Sequence, residues 1–286
     1  LHFISQKLAT GMRVRDLLAL RLLLEGQNNI IKSVTEVLRG EYDVELSDIG
    51  KTNLINLLSN QFSVSLTKKT FKDCIFIAPD GDDYSISDCF KTALEDDYFR
   101  DHINELIEFG LDRYHSKYRP SILKPTPFAL YEKYNYEQVC QLLEWAQNEV
   151  PLNIGGYKFD KKTKTFPVFI NYDKSENISD TTKYEDHFIP GSRDRLIAIS
   201  KSGRTLKSED VQNFLKAKER GIQVELFVRK NKDDKISKEF YYLGHMTASG
   251  NTKEFTMVNT EKTAVEIEWI LDVPVREDIY EYIVNS

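Results

Sequence analysis

The sequence predicts an α+β protein with a mostly helical first part and a β-rich second part. Early in the chain, apolar residues recur every three or four positions, as on one face of an amphipathic helix. Later segments are short, rich in aromatic and β-branched residues and separated by polar turns, which is typical of an antiparallel sheet. Between the two patterns lie Pro120, Pro125 and Pro127, which exclude a helix or a central strand there. We therefore predict two domains, 1–123 and 124–286.

The first domain contains several amphipathic segments. Val14 to Gly40 reads as a helix or helix pair with Gly40 as its stop, and Asp97 to Tyr118 reads as one long helix. Ser47 precedes a further helical pattern, which runs to Ser59, and is of the residue type that caps a helix. Between these helices, residues 71–90 indicate a short apolar strand and an acidic loop.

The second domain begins with a helical pattern at Tyr136 to Glu149 and then changes period. The segments TFPVFINY, VELFVRK, FYYLG and EFTMV predict strands, and Ser208 to Arg220 predicts a helix that closes at Gly221. This pattern favours a curved, mostly antiparallel sheet or small barrel with flanking helices.

The amino-acid composition excludes several classes of protein. The 286 residues are 41% hydrophobic and carry a net charge of -6. No apolar run approaches the roughly 20 residues of a membrane helix, so we expect no membrane partner. Three cysteines without a CxxC pair indicate neither a disulfide framework nor a zinc site and favour a reducing, cytoplasmic location. Because the chain starts at Leu1 inside a helical pattern, we expect it to be part of a longer protein.

The negative charge is unevenly distributed along the chain. Residues 158–230 hold 16 basic and 11 acidic side chains, although the whole chain is acidic. This local excess is compatible with a basic binding face or with an ordinary solvated surface.

No catalytic motif is complete. The segment Ile49 to Thr52, IGKT, resembles the end of a phosphate-binding loop, but Glu45 stands where that loop requires glycine. The five histidines lie far apart and share no metal-ligand spacing. We therefore expect no enzymatic activity, bound metal or cofactor in this piece.

Gly155 to Lys174 is predicted to form a β-hairpin with a lysine-rich turn from Asp160 to Thr165. Strand alternation places aromatic rings on both faces of its second arm. One face would cover the core. The other would be free for a ligand or, alternatively, buried under the helix that begins at Tyr136.

Two further clusters contain residue types that bind nucleic acids. Tyr184, Asp186 and Phe188 alternate, so an extended chain would place a carboxylate between two rings, an arrangement that can bind an extruded base. The alternative is that Asp186 caps a turn and both rings are core. Ile199 to Asp210 mixes hydroxyls with cations before a helix, which suits phosphate oxygens. The alternative there is a solvated loop with Ser208 as the N-cap.

Five blocks, INYDK, KYEDHF, ISKSGRTL, VELFVRK and FYYLG, follow one another in the second domain. In this order, over Pro125 to about Pro274, they resemble the C-terminal domain of the SauUSI-like ATP-dependent type IV restriction enzymes. In that family a phospholipase-D-like nuclease and a helicase, which use ATP and Mg, precede this domain. Residues 1–118 are similar to the helical coupling regions of such proteins.

The resemblance implies an SRA-like or PUA-like β-barrel that flips a modified cytosine out of duplex DNA. The base would be 5-methylcytosine or 5-hydroxymethylcytosine, and the helicase and nuclease of the same polypeptide would be partners. Asp186 matches the family's acidic block and is the expected acceptor for the base's amino group. Ile197 and Ile199 stand where many members have an aromatic residue.

The resulting prediction comprises two sets of residues. The expected base pocket contains Tyr157, Phe169, Tyr172, Tyr184, Asp186, Phe188, Ser200 and Tyr241. The expected contacts to the DNA backbone are Lys158, Lys161, Lys162, Lys164, Lys174, Lys201, Arg204, Thr205 and Lys207.

Two other functions fit the same residues. The protein can be an interaction module whose acidic helical domain binds a helicase or another subunit, with all aromatic rings in the core. It can also be a general binder of single-stranded nucleic acid, which uses the same mixture of cations and rings. Strong salt dependence distinguishes both nucleic-acid functions from the interaction module.

Overall fold

The computed structural model describes residues 1–61, 71–146, 149–150, 154–172, 186–230, 238–257 and 261–285. The chain forms two compact units, Leu1–Ile122 with Glu144–Val150 and Leu123–Leu143 with Pro151–Ser286. Helices dominate the first unit and a sheet dominates the second, which confirms the predicted α+β class. Across the described ranges, no helix has the length and apolar character needed to span a membrane.

The first unit is built from helices and one small hairpin. Its α-helices in the described residues are α1 (Val14–Leu24), α2 (Ile30–Val37), α3 (Asp48–Leu58), α4 (Asp88–Ala93) and α5 (Asp97–Arg113). Its strands, β1 (Ile77–Asp80) and β2 (Asp83–Ile86), pair antiparallel.

Local chemistry sets the ends of these helices. The segment predicted from Val14 to Gly40 is two helices, because the chain turns at Gly26 with a φ of +73°. The Ser47 hydroxyl accepts from the Gly50 N–H and caps α3, as predicted. In the acidic loop, the Asp83 carboxylate accepts from the N–H groups of Ile31 and Lys32 at 3.0 Å each. This loop therefore caps the first turn of α2.

The second unit is built round a sheet with short helices. Its strands are β3 (Lys133–Tyr134), β4 (Thr165–Asn171), β5 (His187–Phe188), β6 (Arg195–Ile199), β7 (Gln223–Arg229), β8 (Phe240–Thr256) and β9 (Thr263–Leu271). Its helices are α6 (Tyr136–Leu142), α7 (Glu209–Leu215), α8 (Ala217–Arg220) and α9 (Glu277–Val284). The helix predicted from Tyr136 to Glu149 thus ends at Leu142, whereas the one predicted to close at Gly221 does so with a φ of +62°.

Within the described residues, the larger sheet has seven strands in the order β4-β7-β8-β9-β6-β5, with β3 paired to β8. Its neighbours are antiparallel except β4 and β7, which are parallel. The long connection between these two strands, which contains β5, β6, α7 and α8, permits this pairing. The predicted turn is confirmed by antiparallel bridges that join Tyr157 to Val168 and Asp160 to Thr165.

The sheet curls so that its two end strands approach each other. The Tyr172 hydroxyl, one residue beyond β4, accepts from the Phe188 N–H of β5 at 3.3 Å. Backbone pairing leaves the strand order with two ends in the described residues, so strand pairing does not close a barrel there. The Tyr172 side chain, rather than backbone pairing, connects β4 to β5.

Aromatic packing covers both faces of β4. On the inner face, Phe166 stacks on Phe214 of α7 with ring centroids 4.0 Å apart. On the outer face, Phe169 stacks on Phe227 at 5.0 Å and meets the edge of Tyr136 from α6 at 4.6 Å. Every residue of β4 except Asn171 is buried, so the second face is covered rather than free.

A fully buried acid lies on the outer side of β7. The Glu225 carboxylate has no exposed surface and accepts from the Tyr242 hydroxyl at 2.7 Å. Its other oxygen accepts from His245 Nδ1 at 3.2 Å, and Thr126 Oγ1 lies 3.3 Å from the Tyr242 hydroxyl. The hydrogen bond to Glu225 raises the pKa of His245 above 6.5, although burial acts in the opposite direction. The proton on His245 therefore stabilises the folded state.

We expect the free energy of unfolding to fall as the pH rises through the raised pKa of His245. The folded pKa exceeds the unfolded one, so this contribution is fully present below pH 6.5 and is lost above the folded pKa. Urea denaturation at about pH 6 and about pH 9 measures the difference in wild type and in His245→Gln. The variant should show a smaller pH dependence, and an unchanged one would contradict the assignment.

Candidate nucleic-acid interface

The predicted loop begins where β6 ends, at Ser200, which is held in place by β9. Its N–H donates to the Val265 carbonyl at 2.9 Å, and its hydroxyl accepts from the Val265 N–H at 2.9 Å. The residue is 8% exposed. Ser200 therefore extends the strand pairing by one residue and fixes the start of the loop.

The Tyr157 hydroxyl joins three segments of the unit. It donates to Asp210 Oδ2 at 2.9 Å and accepts from the Lys201 N–H at 3.0 Å. Its ring packs edge-on against both Phe166 and Phe214, with centroid distances of 5.5 and 5.0 Å. Burial raises the pKa of Tyr157, so its hydroxyl remains protonated and able to donate. The hairpin, the loop and α7 thus meet at one oxygen atom.

The Lys201 side chain folds back onto the hairpin. Its Nζ donates to the carbonyl of Tyr157 at 2.8 Å and to that of Ile154 at 3.3 Å, and it lies 4.7 Å from the centre of the Tyr157 ring. Burial and the nearby Arg204 lower the pKa of the Lys201 ammonium. In this structure Lys201 positions the loop as well as supplying charge.

Arg204 pairs with Asp210 at the start of α7. Its Nε donates to Asp210 Oδ2 at 2.7 Å. Burial alone would raise the pKa of Asp210, but the hydrogen bonds from Arg204 and Tyr157 hold it below its usual range. The prediction did not identify Asp210, because its partners Tyr157 and Arg204 lie on two different segments and no sequence spacing brings all three residues together.

The rest of the loop is held by short contacts to its neighbours. The Thr205 N–H donates to the Ser208 hydroxyl at 2.9 Å. This hydroxyl therefore accepts from the loop backbone and does not cap an N–H group of α7. The Leu206 N–H donates to the Glu254 carboxylate at 2.8 Å. Lys207 is exposed beside them.

The lysine-rich turn lies beside the same end of α7. Asp160 shapes it by accepting from the N–H and the hydroxyl of Thr163 at 2.7 and 2.8 Å. Lys161, which is exposed, pairs with Glu209 of α7 at 3.2 Å. Exposed pairs of this kind stabilise a fold only weakly. The two predicted basic segments are therefore brought together at the N-terminus of α7.

The other lysines of this region differ in exposure. Lys162 and Lys164 are exposed in the turn, and Lys158 is half-buried. Lys174 was also predicted to contact DNA, but it lies outside the described residues.

Asp186 is anchored to the end of β6. Its Oδ1 accepts from the Ile199 N–H at 2.8 Å, one residue before Ser200. Phe188 follows on β5 and is buried, with its ring 5.2 Å from Tyr280 and 6.0 Å from Tyr172. The structure thus places Asp186 in the same region as Ser200 and the loop.

Two residues of the predicted pocket lie elsewhere in the unit, and a third lies outside the described residues. Phe169 is 3% exposed in the outer core beside Tyr136. Tyr241 lies at the start of β8, with its ring 5.9 Å from Tyr282. Tyr184 falls outside the part of the chain that the structure describes.

We expect Tyr157→Phe to destabilise the second unit by about 1–3 kcal/mol, because the Asp210 carboxylate and the Lys201 N–H both lose a buried partner. Urea denaturation measures this change. Tyr282→Phe is the control, because that side chain is 49% exposed. Equal stability of the two variants would contradict the role given to the Tyr157 hydroxyl.

Two family models match the sequence. One, described as a domain of unknown function, DUF3427, covers residues 128–283. The other, also described as a domain of unknown function, DUF8090, covers residues 1–117. No curated protein matches the sequence.

Several solved structures resemble part of the chain at low identity. The SUVH5 SRA in complex with hemi-methylated CG DNA is 14% identical, with 51% of this chain and 91% of that chain covered and a TM-score of 0.34. Arabidopsis thaliana SUVH6 in complex with SAM is 10% identical, with 63% and 34% covered and a TM-score of 0.35. KRYPTONITE in complex with mCHG DNA and SAH is 11% identical, with 55% and 36% covered and a TM-score of 0.33.

Proposed function

Since the chain belongs to the family of the domain of unknown function DUF3427, we propose a ligand for that domain from the geometry of its residues: duplex DNA that carries a modified cytosine. The modified base is 5-methylcytosine or 5-hydroxymethylcytosine. The observation that carries the proposal is the anchoring of Asp186 at the end of β6, beside a loop that contains cations and hydroxyls.

Asp186 supplies the acceptor for the base. The Ile199 N–H orients its carboxylate. A carboxylate has about four acceptor sites on its two oxygens, so it can serve a backbone N–H and a base together. The exocyclic amino group of cytosine is a donor that matches it. This atom becomes accessible to such a carboxylate in a pocket when the base leaves the duplex.

Stacking must offset the cost of extrusion. Unstacking and unpairing a base costs about a few kcal/mol. Tyr172 is partly buried, and its hydroxyl accepts from the N–H of Phe188, two residues after Asp186. We assign its ring as a stacking face. Burial of the methyl group adds about 0.8 kcal/mol, which gives on the order of fourfold discrimination.

Exposed lysines supply the phosphate contacts. Lys162 and Lys164 in the turn and Lys207 in the loop are exposed, and Lys161 of the same turn pairs with Glu209 at the N-terminus of α7. Contacts of this kind position a protein on DNA without reading its sequence. They account for the lysine-rich turn of an acidic protein.

The chain would be the target-recognition part of a modification-dependent restriction endonuclease. This step rests on the five sequence blocks between Pro125 and about Pro274. Recognition would lie in this chain, and the helicase and nuclease of the same polypeptide would use ATP and Mg to translocate and cleave. Residues 1–123 would couple the two parts.

One observation favours a second candidate function, a protein-interaction module, for the first unit. Tyr98 and Phe109 on α5 are 69% and 59% exposed. Exposed carboxylates, such as Asp101 and Glu105, share this helix. Large exposed rings are frequent in protein interfaces.

We expect the chain to bind a duplex with 5-methylcytosine several-fold more tightly than the same duplex with cytosine. Asp186→Asn should abolish this preference, because the amide can still accept from Ile199 while its NH₂ group opposes the amino group of the base. Fluorescence anisotropy measures both affinities. Asp272→Asn, at an exposed position, is the control. If Asp186→Asn still prefers the duplex with 5-methylcytosine, Asp186 does not contact the base.

The double variant Lys162→Gln, Lys164→Gln should weaken binding to the modified and unmodified duplexes equally. Each lost phosphate contact should lower the slope of log affinity against log salt by about one. Titrations at several salt concentrations measure this slope. Lys218→Gln, at an exposed position of α8, should leave it unchanged. An unaltered slope in the double variant would exclude the turn from the interface.

A further inference from the structure

Two lysines and two tyrosines form a second surface at the start of β8. Tyr241 of β8 pairs with Lys133 of β3, whose Nζ lies 4.6 Å from the centre of the Tyr241 ring. Tyr282 of α9 meets the Tyr241 ring at 5.9 Å, with an angle of 71° between the two planes. Lys230, one residue beyond β7, places its Nζ 5.5 Å from the centre of the Tyr282 ring. We call these four residues the tyrosine–lysine surface.

The tyrosine–lysine surface shares no residue with the Asp186 region, although α9, which carries Tyr282, also packs on Phe188 through Tyr280. It uses β3, β8, α9 and the residue after β7, whereas the network of Tyr157, Lys201 and Asp210 joins the hairpin, the loop and α7. It therefore constitutes a separate candidate site, and its function does not rest on the modified-base proposal.

Tyr282 is more exposed than the packing of α9 requires. The helix is held by Ile279 and Ile283, which are 8% and 1% exposed. Among the described residues of the second unit, Tyr282 is the most exposed aromatic side chain, at 49%. A half-exposed ring provides a face on which a base can stack. The neighbouring ammonium group provides a positive charge that can bind a phosphate.

We propose that the tyrosine–lysine surface binds single-stranded DNA. An unpaired base stacks on the exposed face of Tyr282, and the ammonium groups of Lys133 and Lys230 contact the flanking phosphates. Single-stranded nucleic acid is the ligand that matches this pair of features, because its bases are unstacked and its backbone is charged. Glu281 on the same helix is exposed and reduces the local positive charge, so we expect moderate affinity. Two phosphate contacts to a single strand give a slope of log affinity against log salt of about −1.4.

The test measures binding of a fluorescein-labelled oligo-dT of about 12 nucleotides to the whole chain at low salt, by anisotropy. Tyr282→Ala should weaken binding about 5- to 150-fold, the range that follows from losing one stacked base. Tyr98→Ala is the matched control, because Tyr98 is 69% exposed on α5 beside acidic residues. Lys133→Gln is a second variant that leaves α9 intact and should weaken binding several-fold. Thermal unfolding of each variant confirms that it is folded.

The outcomes separate the possibilities. Weaker binding in Tyr282→Ala and Lys133→Gln, with Tyr98→Ala unchanged, supports the site. If Tyr282→Ala binds oligo-dT with wild-type affinity, the proposed site is wrong. It is also wrong if Tyr98→Ala weakens binding as much as Tyr282→Ala does. Absence of oligo-dT binding by the wild-type chain at low salt also overturns it. Because the modified-duplex preference is measured with Asp186→Asn, failure of either proposal leaves the other standing.

Discussion

Burial of aromatic rings on both faces of β4 is the constraint on which the rest of the second unit depends. Phe166 stacks on Phe214 on the inner face, and Phe169 stacks on Phe227 on the outer face. Such packing stabilises the unit by several kcal/mol per ring, since deletion of a buried phenylalanine side chain costs about 3–5 kcal/mol. The inner stack also holds the ring of Tyr157, whose hydroxyl therefore reaches α7. The loop after β6 takes its position from that hydroxyl.

This constraint also decides which side chains can meet a ligand. Rings such as Phe169 and Phe188 are buried, so they shape the unit. Groups at the edges of the core, such as Asp186, Tyr172 and the turn lysines, can contact a large partner. The acidic charge of the chain fits this division, because carboxylates of α7 pair with Lys161 and Arg204. These pairs neutralise two of the cations, whereas Lys162, Lys164 and Lys207 are exposed.

Short-range sequence patterns correctly predicted the structural features that depend on neighbouring residues. The capped helix after Ser47, the long helix from Asp97 and the turn at Asp160 all follow from short-range preferences, and the structure confirms them. The parallel pairing of β4 with β7 was not predicted, since a strand's partner depends on contacts distant in sequence. Alternation likewise showed rings on both faces of β4, but it could not show what covers the second face.

For the candidate site too, the sequence predicted single residues and segments but not the contacts between distant segments. The sequence singled out Asp186 and the loop from Ile199, which the structure brings together. It could not show that Lys201 turns back onto the carbonyl of Tyr157, or that Asp210 joins Tyr157 to Arg204, because these contacts link separate segments. The roles of the pocket and backbone residues in binding DNA stay predictions.

The central claim is that a modified cytosine leaves the duplex when it is bound. The most direct test places 2-aminopurine next to 5-methylcytosine in a duplex and measures its fluorescence on addition of the protein. Extrusion removes a stacking neighbour from 2-aminopurine, so its fluorescence should rise with the methylated duplex and much less with the unmodified one. Tight binding of the methylated duplex with no rise in fluorescence would contradict base flipping.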